Sequence, residues 1–343
     1  MDPYQVGRAI AVHSSRFLFN GRVIQNGEDS IIWTGQIEPQ KGMMPPKKVS
    51  IIIPSRNRPE QLATCVAGLA KQELPLEDLE IVVVDDGSSP KLDQRGLHLE
   101  SKLDLKLFYQ TNQGPAEARN AGARNATGQY LLFTDDDCIP DPGWATRLVE
   151  QLDQTPHQAV GGKTINTLKN NLFAEASQEL NSYIYSYYNR NGVAPNFLAS
   201  NNLGLTREDF FDVGGFSTRY THHFSEDRDF CDKWRYSKRG MKYLPDAIVR
   251  HSHSMGFICF WRQHFDYGRG ARQFHLERKL RKQPVPRIEP LSFYTNMLAH
   301  PYQAEKFIRA TLIMLLIGLT QVAHTFGYLW QRFASARNNL RNE

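Results

Sequence analysis

Four short, mainly apolar runs between Val49 and Thr134 limit what this chain can fold into. They are Val49 to Ile53, Leu79 to Val84, Leu105 to Tyr109 and Tyr130 to Thr134. A mainly apolar strand is covered on both faces, unlike the alternating strand of a half-exposed sheet. Helical stretches separate the runs: Pro59 to Gln72, and "GPAEARNAGARNATG", closed by Gly128. Strand and helix in turn predict an α/β fold, a Rossmann-like, mostly parallel sheet with helices on both faces. Ligands of such sheets bind beyond the carboxyl ends of the strands. Three polar stretches far apart in sequence, "PSRNR", "DDGSS" and "DDD", all fall at those ends.

The remainder divides around this block. Residues 1–48 close on "KGMMPPKK" and read as a peripheral arm and linker. From Asp141 the pattern loosens, with an irregular segment from Asn189 to Leu205. A helix is expected from Glu226 to Arg239, capped by Gly240, and then a strand from Met241 to Val249. Residues 256–343 read as a basic helical extension. Between Arg262 and Arg287, Arg269, Arg272, Arg278, Lys279, Arg281 and Lys282 outnumber Asp266 and Glu277, so that stretch should attract phosphates, acidic lipid or an anionic polymer. Thr311 to Trp330 carries an apolar helical stripe that docks on the protein's own core, lies on a membrane surface or spans it, the last weakened by Gln321, His324 and two glycines.

With 343 residues, 41% hydrophobic and 22% charged, the chain can bury a large core, and its formal charge of +5 is modest. No zinc-finger spacing, RNP-like motif or basic heptad points to nucleic acid. The four cysteines form no Cys-x-x-Cys pair, and Asp2, Gln5, Arg8, His13 and Arg16 break the apolar runs a signal peptide needs, so a cytoplasmic setting is expected.

Chemistry concentrates at the strand ends. Asp85 and Asp86 finish one strand before Gly87 and Ser88 turn the chain, and carboxylates so placed can bond a base or ribose. Pro54, Ser55 and Arg56 form the neighbouring loop. Together they suggest a nucleotide pocket, while the absence of Gly-x-Gly-x-x-Gly and of a P-loop argues against a dehydrogenase or P-loop enzyme. Asp135, Asp136 and Asp137 are three adjacent like charges, costly without a cation among them. A hard divalent ion is commonly held by one or two carboxylates plus substrate phosphates. Asp135 and Asp137 suit that task, with Asp137 the direct ligand and His251 or His253 completing the shell or binding phosphate. Glu226, Asp227, Asp229 and Asp232 begin a helix, where the dipole favours them, or one of them serves as a general base. Upstream, Asn201, Asn202 and the Gly214-Gly215 turn offer groups for a sugar hydroxyl.

The blocks "VSIIIPSRNRPEQLATCVAGL", "EIVVVDDGSS", "NQGPAEARNAGARNATGQYLLFTDDDCIPDPGW" and "GGFSTRYTHHFSEDRDFCDKWRYSKRGMKYLPDAIVRHSH" resemble, in order, those of glycosyltransferase family 2, inverting enzymes of GT-A fold. The resemblance implies a glycosyltransferase domain over residues 49–255, with a nucleotide-binding half at 49–140 and an acceptor half at 141–255. It implies a nucleotide-sugar donor, UDP-sugar favoured, held with Mn2+ or Mg2+. Asp86 matches the family's base-binding carboxylate, Asp135 and Asp137 its Asp-x-Asp motif, and Asp227 the base of its Glu-Asp motif, next to Glu226. Pro54 and Ser55 match the loop beside the nucleotide, with Asp85 and Asp136 adjoining the donor; Arg56 departs from the family's usual Pro-Thr-Tyr-Asn. The Gln-x-x-Arg-Trp motif of processive members is absent, so one sugar per encounter is expected, passed to a glycan, lipid-linked or small acceptor, with the basic stretch and last helix as peripheral membrane contacts. A nucleotidyltransferase of similar sheet and a non-catalytic binding domain remain the alternatives.

Overall fold

The computed structural model describes residues 17–19, 22–24, 48–93, 103–189, 195–220, 225–286 and 288–339. The chain forms two compact units, Met1–Pro45 and Pro46–Glu343. In the first, strands β1 (Phe17–Phe19) and β2 (Arg22–Ile24) pair antiparallel; the rest of the expected arm before Lys48 lies outside the described residues.

The second unit is built on eight strands. They are β3 (Val49–Ser55), β4 (Leu79–Asp86), β5 (Asp104–Gln110), β6 (Tyr130–Phe133), β7 (Cys138–Pro140), β8 (Gln158–Asn166), β9 (Leu203–Thr206) and β10 (Gly240–His251). Their order across the sheet is β5-β4-β3-β6-β9-β8-β10-β7. The expected parallel block is β5-β4-β3-β6. Beyond it β9 runs antiparallel to both β6 and β8, β8 is parallel to β10, and β7 closes the edge antiparallel.

Both faces are covered, as the mainly apolar runs suggest. Ile51 and Ile53 belong to a core with Leu62, Val66 and Leu69 of α1 (Pro59–Leu69) and with Trp144 and Leu148 of α3 (Trp144–Gln154). Ile52 and Val82 point the other way, toward Ala116 and Ala123 of α2 (Pro115–Asn125) and toward Phe230 and Trp234 of α6 (Glu226–Tyr236). Each fully buried aliphatic side chain here contributes roughly 1.5–3 kcal/mol. Between these lie α4 (Leu172–Tyr188) and the short α5 (Arg207–Asp212).

Two expected helix ends moved for physical reasons. α2 stops at Asn125, and Gly128 instead lies so close to β3 that a Cβ there would sit 2.6 Å from the Ser50 amide. Gly240 opens β10, while the left-handed turn after α6 falls on Lys238, at φ 59°.

The C-terminal extension is helical: α7 (Phe257–Leu280), α8 (Leu291–Ala299) and α9 (Phe307–Asn339). With α4 they form a third apolar cluster holding Leu180, Phe260, Phe293, Met297, Ile313 and Ile317. The basic stretch is not the free cationic surface its composition suggests. Arg281 pairs with Asp229 (2.7 Å) and Asp232 (3.1 Å), Arg278 with Asp232, and Arg269 with Asp266 (3.0 Å). Its charges mainly tie the extension to α6 and to itself.

Candidate active site

The turn after β6 sorts its three aspartates by partner. Asp137 accepts from Arg58 Nη1 (2.9 Å) and lies 3.2 Å from both His251 Nε2 and His253 Nδ1. The register explains this meeting: β10 pairs with β7 so that His251 stands opposite Cys138, and the Ser252 amide donates to the Asp137 carbonyl at 2.9 Å. Burial alone would raise the Asp137 pKa, but the two histidines outweigh it and the carboxyl is held well below the usual range. For His251 burial opposes charge, yet the bond and charge of Asp137 prevail and its pKa is raised. Asp136 accepts from Ser55 Oγ (2.8 Å) and Arg58 (3.1 Å); burial, opposed by Arg58 and reinforced by Asp137, leaves it pushed up to about 6. Asp135 faces elsewhere, accepting from Arg119 Nη2 at 2.6 Å.

Asp137, Cys138 and His251 bring potential ligand atoms within 4.8 Å of one another. Burial pushes the Cys138 thiol well up, so it stays protonated and the carboxylate and imidazole are the donors on offer. Asp135 is not part of this cluster.

At the adjacent strand ends the two aspartates of "DDGSS" separate in role. Asp85 accepts from the Ser88 (2.8 Å) and Leu92 (2.9 Å) amides and braces the loop; it does not line the cavity beside it. Asp86 lines that cavity and accepts from the Gln113 and Gly114 amides at 2.8 and 2.9 Å. With the Asn112 amide oriented to donate to Asp86, its oxygen accepts from Arg56 at 2.8 Å, which draws Arg56 to the same edge. Pro54, Ser55 and Arg56 also line the cavity.

On α6 the acidic residues are again unequal. Glu226 is buried and accepts from Arg119 Nη1 at 3.1 Å, while Asp229 and Asp232 take Arg281 and Arg278. Asp227 takes only the Arg228 amide, at 2.7 Å, among the bonds described. Burial, and then the neighbouring Glu226, push its carboxyl up to about 7. It lines the same cavity as Asp135, Asp136 and Asp137. A carboxylate poised near neutrality in a cleft is equipped to accept a proton.

Of the residues expected to meet an acceptor, Asn201 lines the cavity, but Asn202 is spent on structure. Asn202 accepts from Trp144 Nε1 (2.9 Å) and donates to the Ala247 carbonyl (2.9 Å). Gly215 lies off the cavity in a turn at φ 63°, beneath Asn120.

Two residues escaped sequence reasoning. Arg58 closes "PSRNR" and spans Asp136 and Asp137. Arg119 is buried on α2 and joins Asp135 to Glu226, so one guanidinium ties the metal-type turn to the acidic helix. Its signal was an arginine on a helix face otherwise made of Ala116, Gly122 and Ala123, where a bulky cation is out of place unless carboxylates await it.

Known proteins resemble this chain in sequence and in fold. The profile of glycosyl transferase family 2 matches residues 50–215. The pre-mycofactocin glycosyltransferase of Mycobacterium tuberculosis is 27% identical over 216 residues, 60% of this chain and 43% of that protein. Glycosyltransferase AglE of Haloferax volcanii is 29% identical over 170 residues, 49% of this chain and 55% of its own length. The chain thus spans about half the length of these curated relatives, or less. In fold it is similar to a mannosyltransferase of Pyrobaculum calidifontis, solved with GDP-Man and Mn2+ (TM-score 0.57, 19% identity, 83% of this chain and 89% of that one). It is also similar to residues 1–349 of Staphylococcus aureus TarS, solved with UDP-GlcNAc (TM-score 0.50, 18% identity, 85% and 92%). Four ordered blocks, a strand-end cavity holding Asp86, Asp135, Asp137 and Asp227, and a GT-A arrangement of the sheet accompany one finding: residues 50–215 of this chain match glycosyl transferase family 2.

Proposed function

We propose that the protein is an inverting glycosyltransferase that moves one sugar from a nucleoside-diphosphate sugar, UDP-sugar favoured, to a hydroxyl of a glycan, lipid-linked or small acceptor. The observation that carries this reading is Asp227. It is a cavity carboxylate without a cationic partner among the described bonds, shifted to about 7, in the same cleft as the Asp135–Asp137 turn. In the displacement, the acceptor oxygen attacks the anomeric carbon, the bond from that carbon to the diphosphate oxygen breaks, and the hydroxyl proton passes to Asp227. Attack from the face opposite the diphosphate inverts the configuration.

Asp137 and His251, with His253 beside them, offer a carboxylate oxygen and imidazole nitrogens, a donor set that suits Mn2+ better than Mg2+ when substrate phosphates supply the remaining oxygens. Bound there, the ion supplies positive charge to the departing diphosphate. Arg58 adds a fixed cation near the same oxygens, and Ser55 orients Asp136. Arg119 holds Asp135 and Glu226 in place so that Asp227 is the acid of its helix that faces substrate without a guanidinium. Asp86 stands where the family's base-binding carboxylate does, and Asn201 borders the acceptor side. UDP-GlcNAc in TarS and GDP-Man in the mannosyltransferase define the donors to try.

Calorimetry with UDP, GDP and dTDP, with and without Mn2+, tests the donor site. One nucleotide should bind more tightly with metal, and Asp137→Ala should lose that gain. Turnover should release a nucleoside diphosphate, with inverted product by NMR; pyrophosphate would select a nucleotidyltransferase. Full function in Asp227→Asn would select a non-catalytic role.

A further inference from the structure

α9 has two apolar faces, and among the described residues only one is packed against other elements. Ala310, Ile313, Ile317 and Ala323 are buried against α4, α7 and α8. The crossing with α7 is backbone to backbone: a Cβ on Gly268 would come within 1.9 Å of the His324 carbonyl, and one on Gly327 within 1.8 Å of that of Phe265. The opposite face presents Leu312, Leu315, Val322, Phe326 and Leu329, with Leu315 60% and Phe326 58% exposed. Trp261 of α7 lies 6.5 Å from Phe326, and one turn before it Phe257 and Ile258 are also exposed, so the apolar surface broadens beyond a single helix. A patch of this extent on one side of a soluble fold marks a surface that something covers.

We infer that this surface, the outward face of α9 with the start of α7, seats on an anionic lipid bilayer and turns the apolar end of the active-site cavity toward it. Three observations select lipid. From Ala310 to Gln331 α9 carries no Asp, Glu, Lys or Arg, while Lys306 and Arg332 stand exposed at its two ends and Arg262 is exposed beside Phe257 and Ile258. That is the pattern of a helix lying in the interface with cations among the head groups. The cavity runs from Asp135 and Asp227 to Phe257, Ile258 and Leu329, so it reaches the surface at this face. Its volume of about 2220 Å3 exceeds the roughly 300–1,000 Å3 of an ordinary small-ligand site. A nucleotide sugar therefore leaves room for an amphiphilic acceptor entering from the membrane side, a step that rests on the glycosyl-transfer reading; the seating itself does not.

A bilayer-spanning arrangement of α9 is less compatible with its packing, although Phe307–Ala334 is long and apolar enough to cross. Its inner face meets α7 where Asp266 and Arg269 pair at 3.0 Å and Arg269 donates to Gln331 at 3.1 Å, groups that would enter hydrocarbon with it. A second copy is the other occupant to weigh, because Leu312, Leu315, Leu319, Val322, Phe326 and Leu329 alternate three and four apart as in a coiled coil. The seam is flanked by Leu316, Gly318, Thr325 and Trp330 instead of the charged pairs that fix a partner helix, and it leaves Phe257 and Ile258 uncovered.

The test uses the full chain and vesicles of phosphatidylglycerol and phosphatidylethanolamine. The wild type should sediment with them and less with phosphatidylcholine alone or in high salt, and Leu315→Glu with Phe326→Glu should reduce sedimentation at least tenfold. Circular dichroism and nucleotide calorimetry on the double variant should match the wild type, which separates failure of the surface from failure of the donor site. Wild-type protein that stays in the supernatant with every vesicle overturns the inference. So does a lipid-free dimer by analytical ultracentrifugation that the double variant abolishes, because a second copy then owns the face.

Discussion

The two acidic runs of this chain look alike in sequence and behave differently in the fold. In the Asp135–Asp137 turn every carboxylate has a cationic neighbour: Arg119 for Asp135, Arg58 for Asp136, and Arg58, His251 and His253 for Asp137. On α6 three acids are paired as well, Glu226, Asp229 and Asp232, and among the described ion pairs Asp227 has none. The first run is a place to hold charge; the second is a helix start in which one acid has been left able to take up a proton. Function at a cluster of like charges thus follows from which members the rest of the fold neutralises.

The sharpest way to break this comparison is Asp227→Asn. It should lower kcat by about 10²- to 10⁴-fold while nucleotide binding stays intact. Wild-type kcat/KM should rise with pH through about 7, since the base works only when deprotonated, and the residual activity of the variant should lack that limb. Stability carries the opposite sign. A carboxyl raised from 3.8 to about 7 holds its proton in the folded state where the unfolded chain has lost it, so the wild type loses stability from about pH 4 to pH 7. Asp227→Asn should therefore be more stable than wild type at pH 8, by up to about 4 kcal/mol, and converge with it near pH 4.

Arg119→Met attacks both runs at once. It leaves Asp135 and the buried Glu226 without their shared guanidinium and should cost about 3–5 kcal/mol in denaturant unfolding. Stability close to wild type would mean that the two runs are not joined through this residue. Asp137→Ala separates them instead. Mn2+-dependent nucleotide affinity should fall on the order of 10²-fold, whereas metal-free affinity should change little. A comparable loss without metal would make the turn a direct nucleotide contact.

The parallel half of the sheet was legible because its strands show as short, mainly apolar runs separated by helical stretches, and the three strand-end stretches do meet at one edge. The antiparallel half was not, since β7 and β9 are three and four residues long and their pairing is set by tertiary context. That half delivers His251 and His253 to Asp137, so the histidines could be suspected but not placed. Asp85 and Asn202 show the converse limit. Their residue types suit a ligand, but both are spent on internal bonds that spacing cannot reveal. Arg58 and Arg119 are not marked by any spacing, because only the folded chain decides which cations an aspartate cluster recruits.

The gentlest prediction concerns Arg281, which ties α7 to α6 through Asp229 and Asp232. In Arg281→Gln, Asp232 keeps Arg278, but Asp229 loses the one ion pair described for it, so a destabilisation of roughly 1–2 kcal/mol is expected. Arg281 is a quarter exposed, which keeps the figure below that of Arg119. Because Asp227 lies on the helix without touching this pair, kcat should stay within about twofold of wild type. Should Arg281→Gln instead depress kcat as far as Asp227→Asn does, the acids of α6 act as one unit, and the contrast between a paired majority and a single free base gives way to a network in which the C-terminal extension sets the reactivity of the site.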